Sequence, residues 1–169
     1  MVSIEVGTTA DADAAADLWV ELAEGQREYD SHLLPAENRQ TLRESIAQHA
    51  VADELLVARA DESDADGESD DREIVGFVTV DIESSGYEQD AVRGVVRNIY
   101  VVPARRGEGV GSALLDAAET RLAEAGADAV SLDVMAENAD ARRFYRRHGY
   151  APHRVELEKS VESDTLTKE

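Results

Sequence analysis

Cysteine is absent from the 169 residues, which excludes disulfides, thiolate metal sites and a cysteine nucleophile. Lysine is nearly absent too, with only Lys159 and Lys168 among 17 basic residues. No apolar run approaches the ~20 residues that a membrane-spanning helix needs. The opening Met1-Val2-Ser3-Ile4-Glu5-Val6 has no basic segment leading into an apolar one. No His, Asp and Glu residues fall at metal-ligand spacing, no EF-hand pattern occurs, and there is no internal repeat. The expectation is a cytoplasmic protein with no metal and no membrane partner: a single domain over 1–160 with a polar tail over 161–169.

What the chain has in excess is acid: 37 Asp and Glu give a net charge of -20. Such self-repulsion costs stability in dilute buffer and is tolerated where salt screens it, which favours a halophilic setting over an ordinary acidic surface. It also excludes nucleic acid as a partner. Against this background the arginines gather at two places, Arg105-Arg106 and Arg142-Arg143 with Arg146-Arg147.

The first place follows a strand. Val95-Val96-Arg97-Asn98-Ile99-Tyr100-Val101-Val102 is β-branched and aromatic and stops at Pro103. Arg105-Arg106-Gly107-Glu108-Gly109-Val110-Gly111-Ser112 is a glycine-rich turn, after which Val110, Ala113, Leu114, Ala117, Ala118, Leu122 and Ala125 recur at helical spacing. A strand, a glycine loop and a helix N-terminus together make an anion site, because first-turn amides are unpaired and glycine lets a phosphate come close. A nucleotide triphosphate loop would need G-x-x-x-x-G-K-[ST], and no lysine is near; a dinucleotide fingerprint would need G-x-G-x-x-G, and these glycines are differently spaced.

What remains is R-x-x-G-x-G, formed by Arg106, Gly109 and Gly111. A second motif lies downstream: Asn138, Ala141 and Phe144-Tyr145, then Gly149-Tyr150, in the pattern N-x-x-A-x-x-F-Y-x-x-x-G-[FY]. By itself this is also an ordinary helix with Asn138 as N-cap and Gly149 as its stop. Together the two motifs resemble the GCN5-related N-acetyltransferases, the GNAT family, over most of the chain from about Leu55 to Lys159. The resemblance implies an α/β fold on a mixed, mainly antiparallel sheet flanked by helices, with acetyl-CoA as cosubstrate, lying where two parallel strands separate. Backbone amides from Arg106 to Ser112, including Gly107 and Val110, would hold the CoA pyrophosphate. The edge of Ile99, Tyr100 and Val101 would bond the pantetheine arm, Asn138 would contact it, and Tyr145 would face the thioester sulfur.

Elsewhere the patterning predicts a strand at Val2–Val6, a helix from about Asp11 with Ala15, Leu18, Trp19 and Leu22 buried, and a helix near Asn38 to His49. The stretch from Gly25 to Pro35 reads as a loop, and Glu24, Glu28, Tyr29 and His32 of this N-terminal region are acceptor-contact candidates by resemblance. Paired strands at Leu55–Arg59 and Ile74–Val80 flank a polar hairpin loop from Asp61 to Arg72. A further hairpin at Ser84-Ser85-Gly86, a parallel strand at Ala129–Val134 and a last strand at Arg154–Lys159 complete the expectation.

The implied activity is acyltransfer: an acetyl group moves from acetyl-CoA to a primary amine of a small molecule by direct attack. The alternatives are N-terminal peptide acetylation and a non-catalytic acetyl-CoA-binding regulator; assembly as a homodimer is left open. Many relatives carry a glutamate, usable as general base, on the strand where this chain has Arg97 and Asn98. A lysine-type amine of pKa near 10.4 is neutral in only about one molecule in 2,500 at pH 7, and an α-amine near 8 in roughly one in ten. Either Glu24 or Glu28 takes the proton through water, or the acceptor is a less basic amine. From the charge alone, the melting temperature should rise steeply with salt and keep rising beyond about 1 M, where Debye screening already reaches only ~3 Å. Thermal melts that stay flat from low to molar salt would remove the halophilic reading.

Overall fold

The protein is described by a computed structural model covering residues 2–61 and 72–162. The chain forms two compact units, Met1–Asn138 and Ala139–Glu169, each taken by itself. The expected loop between Asp61 and Arg72 lies largely outside the described residues.

In the first unit the elements run β1 (Val2–Val6), α1 (Ala12–Arg27), α2 (Pro35–Val51), β2 (Leu55–Ala60), β3 (Ile74–Ile82), β4 (Arg93–Val101), α3 (Val110–Glu124) and β5 (Ala129–Leu132). The sheet order is β1-β2-β3-β4-β5; the first four strands are antiparallel and β5 runs parallel to β4. That is the expected mixed, mainly antiparallel architecture, with β5 forced parallel because α3 carries the chain back across the sheet.

Ala12, Ala15, Ala16, Trp19 and Ala23 fall on one stripe of α1 and bury against Ile46 and Ala50 of α2 and Leu55, Val57, Phe77 and Tyr100 of the sheet. The residue before Phe77, Gly76, faces the other way: a Cβ there would lie 3.1 Å from Leu114 of α3. Successive strand residues point to opposite faces, so α1 and α2 cover one face and α3 the other. α3 buries Val110, Leu114, Leu115, Ala118 and Leu122, while Ala113 and Ala125 of the expected stripe are exposed.

A buried ion network ties β1 and β2 to the start of α1. The Arg59 guanidinium, in the all-buried strand β2, donates to both Asp11 oxygens at 2.8 Å and to Glu5 at 2.7 Å. Asp11 also accepts from the Thr8 amide at 2.8 Å, and Arg72 donates to the second oxygen of Glu5 at 2.7 Å. A buried guanidinium is tolerated only when its donors are paired, and removing a partner leaves an uncompensated charge.

Three further expectations change. The strand expected over Ala129–Val134 ends at Leu132. The predicted loop from Gly25 to Pro35 is shorter, because α1 continues through Gly25 to Arg27 and α2 begins at Pro35. Proline suits the first helical position, where its missing N–H has no intrahelical role. In the second unit, α4 (Ala139–Arg147) forms as expected and stops at Gly149, φ +90°, with the Tyr150 amide donating to the Tyr145 carbonyl at 3.0 Å. The expected strand at Arg154–Lys159 is not one: residues 151–161 have no regular structure and are exposed. Alternating Val155 and Leu157 match a strand's period, but a strand also needs a neighbour for its amides, and the described residues of this unit contain none.

The hydrogen bond from Arg72, against a smaller opposing effect of burial and with Arg59 adding to it, holds Glu5 below its ordinary value of 4.5. A carboxylate depressed in the fold contributes stability above its unfolded pKa and loses it as pH falls through the folded one. Glu5→Gln should therefore be destabilising at pH 7, and its penalty relative to the parent should shrink as pH drops below about 4.5. Parallel thermal melts from pH 7 to 3 check this; a penalty independent of pH would remove the ion pair as its cause.

Candidate active site

Beyond β4 the chain makes one 3-10 turn at Pro103–Arg105, then passes through Gly107 and Gly109 at φ +79° and +84° into α3. L side chains rarely adopt such φ values, and a Cβ at either glycine would meet nothing within 4 Å. The outer side of the turn is therefore bare backbone, open to a ligand. The first helical bond runs from the Ala113 amide to the Gly109 carbonyl at 3.0 Å. The Val110 and Gly111 amides before it have no acceptor within the helix, and Ser112 completes the same turn. The 15-residue helix behind them adds its positive end, so the loop is suited to an anion.

Arg106 does something the motif does not disclose. Its Nε donates to the Val101 carbonyl at 3.0 Å, and its guanidinium lies 5.3 Å over the Tyr100 ring. The side chain fastens the loop to the end of β4. Arg105 pairs with Glu108 at 2.8 Å within the loop.

The edge of β4 follows from its register. The Val102 amide donates to the Val75 carbonyl at 2.9 Å, and Phe77 and Asn98 continue that alternation opposite Tyr100 and Thr79. Backbone groups of Asn98 and Tyr100 thus turn towards β3, and those of Ile99 and Val101 turn away. On that far side β5 accompanies β4 only from Arg93↔Ala129 to Val96↔Leu132. Past Val96 no strand among the described residues lies beside the edge, and Ile99 and Val101 present their amides to an opening. Of the three strand residues expected to line the donor, Tyr100 is placed differently. It is buried in the helical face, its hydroxyl donates to Glu21 at 3.0 Å, and burial and Glu21 both raise its pKa.

A register shift between Thr79 and Val80 makes Arg97 the extra residue of a bulge. Arg97 donates to Asp81 through Nε and Nη2 at 2.9 to 3.1 Å, and Asn98 donates to Thr79 at 3.0 Å. No carboxylate replaces the missing glutamate on this strand. Glu24 and Glu28 are exposed, at the end of α1 and just beyond it, and Tyr29 and His32 follow in the connection to α2. The α1 carboxylate that does reach β4 is Glu21, whose spacing in sequence does not distinguish it from Glu24. Among the described residues no group of three or more His, Asp or Glu is placed to hold a metal ion.

Asn138 closes the first unit, its amide donating to the Met135 carbonyl at 3.0 Å. In the second unit Tyr145 packs edge-to-face on Phe144 and Tyr150, with ring centroids 5.3 and 6.0 Å apart. Burial pushes its hydroxyl up to about 12.

The five-stranded sheet thus opens beside β4, and that strand runs into a glycine loop at a helix N-terminus. A sequence model of the acetyltransferase (GNAT) family matches residues 19–150, and the chain belongs to that family. It is 30% identical over 89 residues to the aminoalkylphosphonate N-acetyltransferase of Salmonella typhimurium; the alignment covers 53% of this chain and 57% of that one. The structure superposes on a transcriptional regulator from Bacillus halodurans with a TM-score of 0.69 and 23% identity, over 95% of this chain and 99% of the other. It likewise matches an aminoglycoside N-acetyltransferase solved with CoA at a TM-score of 0.66 and 20% identity, over 95% of each chain. These two likenesses establish the fold.

Gly111→Val adds a side chain in the first turn of α3 without demanding positive φ, whereas a substitution at Gly109 would strain the turn itself. It should weaken acetyl-CoA binding at least about tenfold, roughly 1.4 kcal/mol, with a near-parental melting temperature. Calorimetry showing unchanged affinity would exclude the loop as the donor site.

Proposed function

We propose that the protein is an acetyl-CoA-dependent N-acetyltransferase acting on a primary amine of a small molecule, in the cytoplasm. The observation that carries this is the open β4 edge at Ile99 and Val101 continuing into a glycine loop and helix N-terminus, a track suited to an amide-bearing arm that ends in a pyrophosphate. Amides from Gly107 to Ser112 would take the phosphates, the expected Arg106 amide being engaged instead by the Pro103 carbonyl at 3.3 Å; the edge amides and Asn138 would take the pantetheine, and Tyr100 would support the strand from beneath. The small-molecule reading draws on the relatives, whose names describe acetyltransferases of aminoalkylphosphonates and aminoglycosides.

Acetyl-CoA supplies an activated thioester, and a chain without cysteine is suited to direct attack by the amine rather than to an acyl-enzyme through a thiol. CoA then leaves as a thiolate and needs a proton. Tyr145 is the donor in this scheme: with its pKa pushed up to about 12 it is protonated at any working pH, and its hydroxyl has no hydrogen-bond partner among the described residues.

Tyr145→Phe keeps the ring and removes only the hydroxyl. It should lower kcat by about 100-fold or more and leave acetyl-CoA affinity little changed. The measurement is release of CoA thiol with a panel of amines and peptides. Peptide N-termini outperforming every small amine would redirect the assignment to protein acetylation. Acetyl-CoA binding with no turnover of any acceptor would make the protein a regulator, and a Phe variant as fast as the parent would take Tyr145 out of the chemistry.

A further inference from the structure

Arg97 and Asp133 are the first residues past the last β4–β5 pair, Val96↔Leu132, and so stand one on each side of the opening between the strands. An arm laid along β4 from the glycine loop passes Val101 and Ile99 and reaches Arg97 after four residues, roughly 13 Å at strand rise. The reacting end of the donor would arrive between these two side chains.

Arg97 is held for a purpose its own pairing does not exhaust. The Nε/Nη2 edge of its guanidinium is occupied by Asp81, which also faces His49 Nε2 at 3.3 Å; His49 is set in turn by the Ser45 carbonyl, 2.8 Å from its Nδ1. The other edge, Nη1 with the outer Nη2 hydrogen, has no partner among the described residues, and the side chain is 48% exposed. A guanidinium fixed on one edge is a pre-set fork for a planar or tetrahedral oxyanion on the other. Asp133 is exposed and close enough to interact electrostatically with Arg97, as does Glu83, which pairs with Arg93 at 3.4 Å. Two arginines thus face three carboxylates, so acid is in excess among these five groups. A simple anion is disfavoured by that balance, and a lone ammonium would meet the exposed guanidinium. A molecule carrying both charges satisfies both sides.

We propose that Arg97 and Asp133 form the acceptor subsite and that the acceptor is a small zwitterion, its ammonium drawn by Asp133 and its carboxylate or phosphonate gripped by the free edge of Arg97. This rests on the acetyltransfer reading above and names the substrate class for the same site.

The test compares initial rates of CoA thiol release with β-alanine, 3-aminopropylphosphonate and propylamine, which share an amine and differ in the anion. The intact protein should prefer one or both zwitterions over propylamine by about tenfold or more in kcat/KM, since a site built to bond a group discriminates against the analogue lacking it. Arg97→Gln should collapse that ratio towards one through KM, Arg97→Lys should restore part of it, and Asp133→Asn should raise KM for all three amines. Equal use of propylamine and the zwitterions overturns the proposal, as does an Arg97→Gln variant that keeps the preference, or acetyl-CoA binding with none of the three amines turned over. Acetyl-CoA affinity is followed by calorimetry in parallel; its absence from the intact protein would sink the acetyltransfer reading itself.

Discussion

Backbone hydrogen bonding along β4 is the constraint on which the rest of the molecule depends. A buried strand must satisfy its amides and carbonyls, and β4 does so against β3 along its length but against β5 only as far as Val96. The remaining edge is left with the Ile99 and Val101 amides facing an opening, the Val101 carbonyl being taken by Arg106. The bulge at Arg97 falls at the point where pairing on that side ends, and it turns Ile99 and Val101, rather than Tyr100, towards the opening. The glycine loop then continues from the same strand, so one segment of about 20 residues carries both the edge and the anion site.

Positioning of that strand is the work of the two faces. The alanine-rich stripe of α1 lets the helix lie close to the sheet, and Tyr100 reaches from β4 to Glu21 across this packing. On the opposite face α3 sits on β3 and β4, so its N-terminus is carried to the end of the strand it serves. Arg106 closes the arrangement, because a guanidinium that bonds a strand carbonyl and stacks on a strand tyrosine limits how far the loop can drift.

The arginines show how an acid-rich chain uses few cations. Arg59, Arg72 and Arg97 each bond a carboxylate, with Arg59 bridging Glu5 and Asp11. Planar forks suit these partly buried pairs better than lysine would. The Arg59 and Arg72 pairs sit at the end of β2 and just before β3, with Arg59 reaching the start of α1, so their loss would be felt as lost register as well as lost charge.

Local pattern alone determined the elements whose cause is local. The β-branched run before Pro103, the glycines of the loop, the helix that follows and the α4 stop at Gly149 all depend on backbone preference within a few residues, and two motifs at fixed spacing carried the family. Only the tertiary structure decided what depends on residues far apart in sequence. The parity of β4, set by a bulge against β3, chose Ile99 and Val101 over Tyr100 for the open edge. Arg106 turned inward because Val101 and Tyr100 were there to receive it, and Glu21 rather than Glu24 or Glu28 met the strand because of how α1 packs. The stretch around Val155 and Leu157 has the alternation of a strand and is none, since a strand is a relation between two segments and alternation describes only one.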